Sequence, residues 1–248
     1  MLSQAIKRAH TYWLILRALL TTFKYSVLTL YHSSHSSRRS LSQIIYRWAN
    51  SLLNIVQAKV IIHNPHHVTL DSSQATFLMS NHNSLYDIPL IFKAFPQHDI
   101  RMIAKKELFS VPILGRAMQA SEFLSIDRND SKQAMQDLEK VRAKLDDGIV
   151  PWIAPEGTRS RDGQLGVFKK GGFMLAIQTQ ALIVPLTIRG ADNILPAKTF
   201  KLSTGKTVHI FIGKPIDASQ YDIKTRMNLL TAVRQQIVND LAQELPPD

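Results

Sequence analysis

The chain predicts an α/β fold, with one large domain of short buried strands alternating with helices behind a basic helical segment. Three observations carry this. From residue 58 onward short apolar runs alternate with helical patterns, the signature of helices packed on a sheet. Before residue 58 the apolar residues recur at helical spacing and no acidic residue interrupts them. And 248 residues with 45% hydrophobic content suffice for one substantial core more readily than for two. The expected division is therefore residues 1–57 and 58–248.

Ile6, Ala9, Trp13, Leu16, Leu20, Phe23, Val27 and Leu30 are separated by steps of three and four, which makes one apolar stripe along a first helix. Arg17 and Lys24 edge that stripe, so their stems can snorkel while it enters lipid, although such a stripe also packs on protein. No uncharged apolar run of about 18 residues occurs here, which disfavours a simple spanning helix, and charges within the apolar region argue against a signal peptide. The serine-rich segment 32–39 predicts a turn, with His32 and His35 in a solvated loop rather than at a metal. A capping box, Ser40 to Gln43, then opens a second helix whose inward face is Leu41, Ile44, Ile45, Trp48, Leu52 and Ile55. Together they predict an antiparallel basic pair on or in a bilayer.

Charge supports the same partner. Of the net +11, eight positive charges precede the first acidic residue, Asp71. That asymmetry calls for an anionic surface. The basic residues sit among aliphatics and no nucleic-acid reading module is recognisable, so a phospholipid membrane is expected and nucleic acid is not. The absence of cysteine excludes disulfides, thiolate metal sites and a cysteine nucleophile.

Strands are expected at Lys59–His63, Thr76–Ser80, Arg101–Ala104, Phe123–Ile126, Val150–Ala154, Ile183–Ile188 and Val208–Ile212. A helix is expected from Ser131 to Asp147, closed by Gly148, and a last one from Lys224 to Glu244 with Met227, Leu230, Val233 and Ile237 facing inward. Ser203-Thr204-Gly205-Lys206 reads as the turn of an edge hairpin over Leu202–Gly213.

Chemistry concentrates where strands end. His82 follows the apolar run 75–80, and Asp87 follows five residues later. On one helix those positions would lie about 140° apart, so only a turn between them can bring ring and carboxylate together. A carboxylate so placed fixes the imidazole tautomer and stabilises its protonated form. The alternative is local: Ser84 and Asp87 fit a capping box, or Asp87 caps the helix opening at Ile88. A second site follows the run 149–154, where Glu156-Gly157-Thr158-Arg159-Ser160 offers close backbone approach, hydroxyl donors and a guanidinium fork for an anion. For Arg159 the alternative is an ion pair with Glu156. Lys105 and Lys106 end a third strand and would be solvated if not functional.

These blocks in order, His82-x4-Asp87, Phe123 to Arg128, Glu156 to Ser160 and Ile183-Val184-Pro185, resemble the glycerolipid acyltransferases, closest to the bacterial 1-acylglycerol-3-phosphate acyltransferases. The similarity covers about residues 60–215, and Ala104 to Leu108 with Val111 to Gly115 add to it. The resemblance implies a glycerol-phosphate acyltransferase-like mixed sheet flanked by helices with a membrane-associated helical pair. It further implies transfer of a fatty acyl group from acyl-CoA or an acyl carrier protein thioester to the free sn-2 hydroxyl of lysophosphatidic acid, giving phosphatidic acid. No bound cofactor or metal is implied. His82 and Asp87 would be catalytic, and Lys105, Arg128, Glu156, Gly157, Thr158 and Arg159 would bind substrate, with the Gly157 amide at the oxyanion. The expected location is the cytoplasmic face of the inner membrane, where both thioester donors are found. Another lysophospholipid or a lyso-amino-acid lipid as acceptor, or a non-catalytic basic membrane-binding module, are the alternatives.

Overall fold

The computed structural model describes residues 2–71, 73–126 and 131–245. Its elements in chain order are α1 (Leu2–Ser33), α2 (Arg38–Ile55), β1 (Lys59–His63), β2 (Thr76–Ser80), α3 (Asp87–Ala94), β3 (Ile100–Lys105), α4 (Leu114–Ala120), β4 (Leu124–Ile126), α5 (Ser131–Asp146), β5 (Val150–Ile153), α6 (Gly171–Gln178), β6 (Leu182–Arg189), α7 (Ala191–Ile194), β7 (Thr207–Ile212), β8 (Ile216–Asp217) and α8 (Arg226–Ala242). The expected strands are all present, with ends moved by no more than one residue.

They form one mixed sheet in the order β1-β7-β6-β2-β5-β3-β4, with β8 also paired to β6. β2 runs parallel to β5 and β6, and β5 parallel to β3. β7 is antiparallel to β6 and carries β1 parallel to itself at the edge. The carboxyl ends of β2, β3, β5 and β6 therefore gather at one end of the sheet. All five residues of β2 are buried, as a strand covered on both faces requires. One face packs on α2 and α3 through Leu52, Leu53, Leu90, Ile91 and Phe92. The other packs on α5, α6 and α8 through Val141, Phe173, Leu229 and Val233.

Three expectations are corrected. α2 opens earlier than the capping box proposed, because Ser37 Oγ accepts the Ser40 N–H and the chain is already helical at Arg38. Residues 202–213 form no hairpin. Gly205 N–H donates to Val56 O and Lys59 N–H to Lys206 O, which ties the segment to the end of α2 and the start of β1 before β7 begins. On α8, Leu230, Val233 and Ile237 are buried as expected, but Met227 is exposed and Leu229 takes the inward place.

α1 inverts the usual amphipathic arrangement. Its buried positions include Ser26 and Thr29, and Thr22 Oγ1 accepts from Trp48 Nε1 of α2, while Trp13, Leu16, Leu20, Phe23 and Val27 are exposed. Trp13 is 56% accessible. The expected apolar stripe thus faces away from the protein, and residues 8–33 are long and apolar enough to cross a membrane by length and composition. At the far end of the pair Arg38 Nε meets Glu122 at 2.6 Å and Lys144 Nζ meets it at 2.7 Å. Hydrogen bonding from Arg38 leads the effects that hold the Glu122 carboxyl down at about 2.

Candidate active site

The four residues between His82 and Asp87 form the turn that the pair requires. Ser84 Oγ accepts the Tyr86 N–H at 3.1 Å, and Asp87 Oδ2 reaches back to accept the Ser84 N–H at 2.8 Å and the Asn83 N–H at 2.7 Å. The same oxygen meets His82 Nδ1 at 2.7 Å. Asp87 is not the N-cap of α3, which is Tyr86 and makes no side-chain cap bond, but the turn bonds to the Asn83 and Ser84 N–H groups fix its carboxylate against the ring. Asp87 is wholly buried, and with Nδ1 held as the donor the basic lone pair of a neutral imidazole falls on Nε2. Ser84 is also buried and its Oγ donates to Leu195 O at 2.8 Å, so this hydroxyl is a structural clasp and not a nucleophile.

His82 is clamped through its main chain as well. Its N–H donates to Glu156 Oε1 and its C=O accepts from Ser160 N, each at 2.8 Å. Glu156 Oε2 accepts the Gly166 N–H at 2.8 Å. The two oxygens of Glu156 thus face peptide donors instead of Arg159, and a carboxylate in that position would repel a phosphate. Burial pushes the Glu156 carboxyl above its usual range, against the pull of the two N–H groups. The sequence pattern placed Glu156 with the substrate; the fold places it under His82. Gly157 has φ +72°, a left-handed conformation that favours glycine. Its N–H closes a turn to Ala154 O at 3.0 Å.

Arg159 is half-buried on the loop that Ser160 joins to His82, and Thr158 is exposed on the same loop. Lys105 ends β3 at the same end of the sheet and pairs with Glu107 at 2.8 Å. Arg128 lies outside the described residues. Two supports escaped the sequence reading. Asn81 pairs its side-chain amide with Ile188 N and O across to β6, and Trp152 stands edge-on to the His82 ring at 6.1 Å while donating Nε1–H to Ser80 Oγ. Only their places at the end of β2 and inside β5 hinted at either. Among the described residues no group of three His, Asp or Glu side chains could hold a metal ion.

Fold and site define an α/β protein with a histidine–aspartate pair at the carboxyl end of a central parallel strand, beside a glycine-arginine loop. The Acyltransferase family profile matches residues 59–189, more than half of the chain, and the protein belongs to that family. A chloroplastic 1-acyl-sn-glycerol-3-phosphate acyltransferase of Arabidopsis thaliana is 34% identical over 145 residues, 58% of this chain and 40% of the relative. The 1-acyl-sn-glycerol-3-phosphate acyltransferase of Borreliella burgdorferi is 28% identical over 183 residues, 74% of this chain and 72% of the relative. The chain spans 40 to 48% of the length of the plant and algal relatives it matches. The crystal structure of the 1-acyl-sn-glycerophosphate acyltransferase of Thermotoga maritima shares the fold, with a TM-score of 0.80 at 22% identity, covering 98% of this chain and 99% of that one.

Proposed function

We propose that the protein transfers a fatty acyl group from acyl-CoA or an acyl carrier protein thioester to the sn-2 hydroxyl of 1-acylglycerol-3-phosphate, making phosphatidic acid for phospholipid synthesis. The observation that carries this is the 2.7 Å contact between His82 Nδ1 and Asp87 Oδ2 at the end of β2, in a family whose relatives bear that activity in their names. His82 Nε2 takes the proton of the acceptor hydroxyl as its oxygen attacks the thioester carbon. The tetrahedral intermediate collapses, the carbon–sulfur bond breaks, and the imidazolium returns the proton to the departing thiolate. A thioester has a good leaving group, so one base suffices; general-base help is typically worth about 10²- to 10⁴-fold. Holding the two reacting atoms about 3 to 3.5 Å apart contributes further.

Arg159, helped by Lys105, Gly157 and Thr158, receives the acceptor phosphate, and Glu156 supports this loop and His82. Residues 1–57 hold the enzyme at the cytoplasmic face of a membrane, with residues 58–248 as the catalytic unit. Acyl transfer from a long-chain thioester to lysophosphatidic acid in detergent tests the reading. Native protein should make phosphatidic acid, His82→Ala should not, and Arg159→Ala should lose most of the preference for phosphate-bearing over phosphate-free acceptors. Normal turnover by His82→Ala would refute the assignment of the base, and unchanged acceptor preference in Arg159→Ala would refute that of the phosphate.

A further inference from the structure

The loops that follow β2, β3, β5 and β6 share a composition that the transfer chemistry does not require. Each exposes a large apolar side chain: Leu85 after β2, Leu108 and Val111 after β3, Val167 after β5, and Phe200 after β6. Val167 is 88% and Phe200 78% accessible. Lysine and arginine lie between them, with Arg161, Lys169 and Lys170 near Val167 and Lys198 and Lys201 flanking Phe200. At the opposite end of the sheet Asp71, Asp99 and Asp147 lie in the connecting segments, with Arg38 and Lys144 beside Asp147. Large exposed apolar side chains interspersed with lysine and arginine thus gather at the end holding His82.

Phe200 is held outward by a built turn. Ile194 and Leu202 are buried on either side of it, Ser203 N–H donates to Ile194 O at 2.8 Å, and Thr199 Oγ1 donates to Pro196 O at 3.0 Å. Lys198 takes φ +59°, a left-handed conformation that lysine rarely adopts. The start of the loop is fastened to the catalytic turn through the bond from Ser84 Oγ to Leu195 O. α1 projects past the same end. It has 32 residues against 18 in the antiparallel α2, and Leu14 is its first buried residue among those with described side chains. About 20 Å of α1 therefore extends beyond the end of α2, at 1.5 Å per residue.

We infer that residues 196–202 form a second membrane contact, separate from the helical pair, with Phe200 entering the interface of an anionic bilayer and Lys198 and Lys201 on its headgroups. An aromatic wedge between two lysines matches an anionic lipid surface in both polarity and charge. The clasp to Ser84 then fixes the level of His82 relative to that surface.

The chain has no cysteine, so Ala197→Cys provides a single labelling point that leaves Phe200 and both lysines in place. An environment-sensitive fluorophore there is compared with one at Asp71→Cys, using full-length protein on vesicles of phosphatidylglycerol and phosphatidylcholine. The label at 197 should be quenched several-fold more by doxyl lipids than the label at 71, and less by aqueous iodide. Adding Phe200→Ser, Lys198→Gln and Lys201→Gln should abolish the difference while the protein stays on the vesicles through α1. Equal iodide quenching at 197 and 71 on vesicle-bound protein would overturn the inference, as would a difference that survives the triple substitution. Neither readout depends on acyl transfer.

Discussion

Replacing Asp87 by asparagine separates two services the carboxylate gives His82, an acceptor for the Nδ1 proton and a negative charge. Oδ2 receives N–H groups from His82 Nδ1, Asn83 and Ser84 at 2.7, 2.7 and 2.8 Å. An amide oxygen in that place accepts all three, so the imidazole keeps its basic lone pair on Nε2. The flipped amide would set its NH2 against two main-chain N–H groups, each costing about 1 to 3 kcal/mol when left without an acceptor. The unflipped amide leaves its NH2 at the place of Oδ1, buried and without a partner, so one of these two losses is offset and the flip is opposed by about 1 to 3 kcal/mol. The substitution then removes mainly the charge that stabilises the imidazolium. Asp87→Asn should lower kcat about 10²-fold, the low end of a general base's contribution, whereas His82→Ala should lower it about 10³- to 10⁴-fold. Thiol release from a long-chain acyl thioester in the presence of lysophosphatidic acid measures both, with thermal melts confirming that each variant is folded. If the two variants are equally slow, the amide flips and the three-donor argument is wrong. If Asp87→Asn turns over normally, His82 does not depend on the carboxylate at all.

Glu156→Gln leaves one acceptor oxygen for two peptide donors, His82 N–H and Gly166 N–H, and should lower kcat at least 10-fold with KM for the acceptor nearly unchanged, as steady-state kinetics would show. Gly115→Ala should destabilise the fold by about 3 kcal/mol or more, read as a fall in Tm, because the added Cβ would lie 2.0 Å from Phe109 O, a backbone atom. The Glu122 carboxyl is held at about 2 against an ordinary 4.5, so its contribution is complete above pH 4.5 and fades as pH falls towards 2. Arg38→Ala should therefore cost about 1 kcal/mol near neutrality, the pair being only half-buried, and that cost should shrink across this window in melts taken at stepped pH. Leu16→Lys with Phe23→Lys, on the exposed face of α1, should greatly reduce flotation with liposomes while leaving the melt intact, since neither side chain is buried.

The strands were legible because each expected one is a short apolar run with a polar break after it, and in the central strand β2 burial on both faces leaves no other use for such a run. His82 and Asp87 were legible for a similar reason: five residues with a serine between them admit few turns, and the turn that leads into α3 is also the turn that closes the pair. The Ser203 to Lys206 turn was misread because its chemistry is local while its partners, Val56 O and Lys59 N–H, are more than a hundred residues away. The bonds that Glu156 accepts from the His82 and Gly166 N–H groups were missed for the same cause. Its neighbours Gly157 and Arg159 suggest an anion site, yet β5 lies beside β2, and that adjacency turns the carboxylate onto the main chain of His82.

The sequence by itself determined seven of the strands, the pairing of His82 with Asp87, the basic charge of the first seventy residues and the apolar stripe of α1, because each depends on side-chain chemistry repeated or paired over a few residues. Tertiary structure alone decided which face of that stripe looks outward, that Ser84 is a clasp, that Glu156 supports His82, and that Phe200 shares an end of the molecule with the site. Those facts depend on which strands become neighbours, and strand order is set by the whole core and not by any stretch within it.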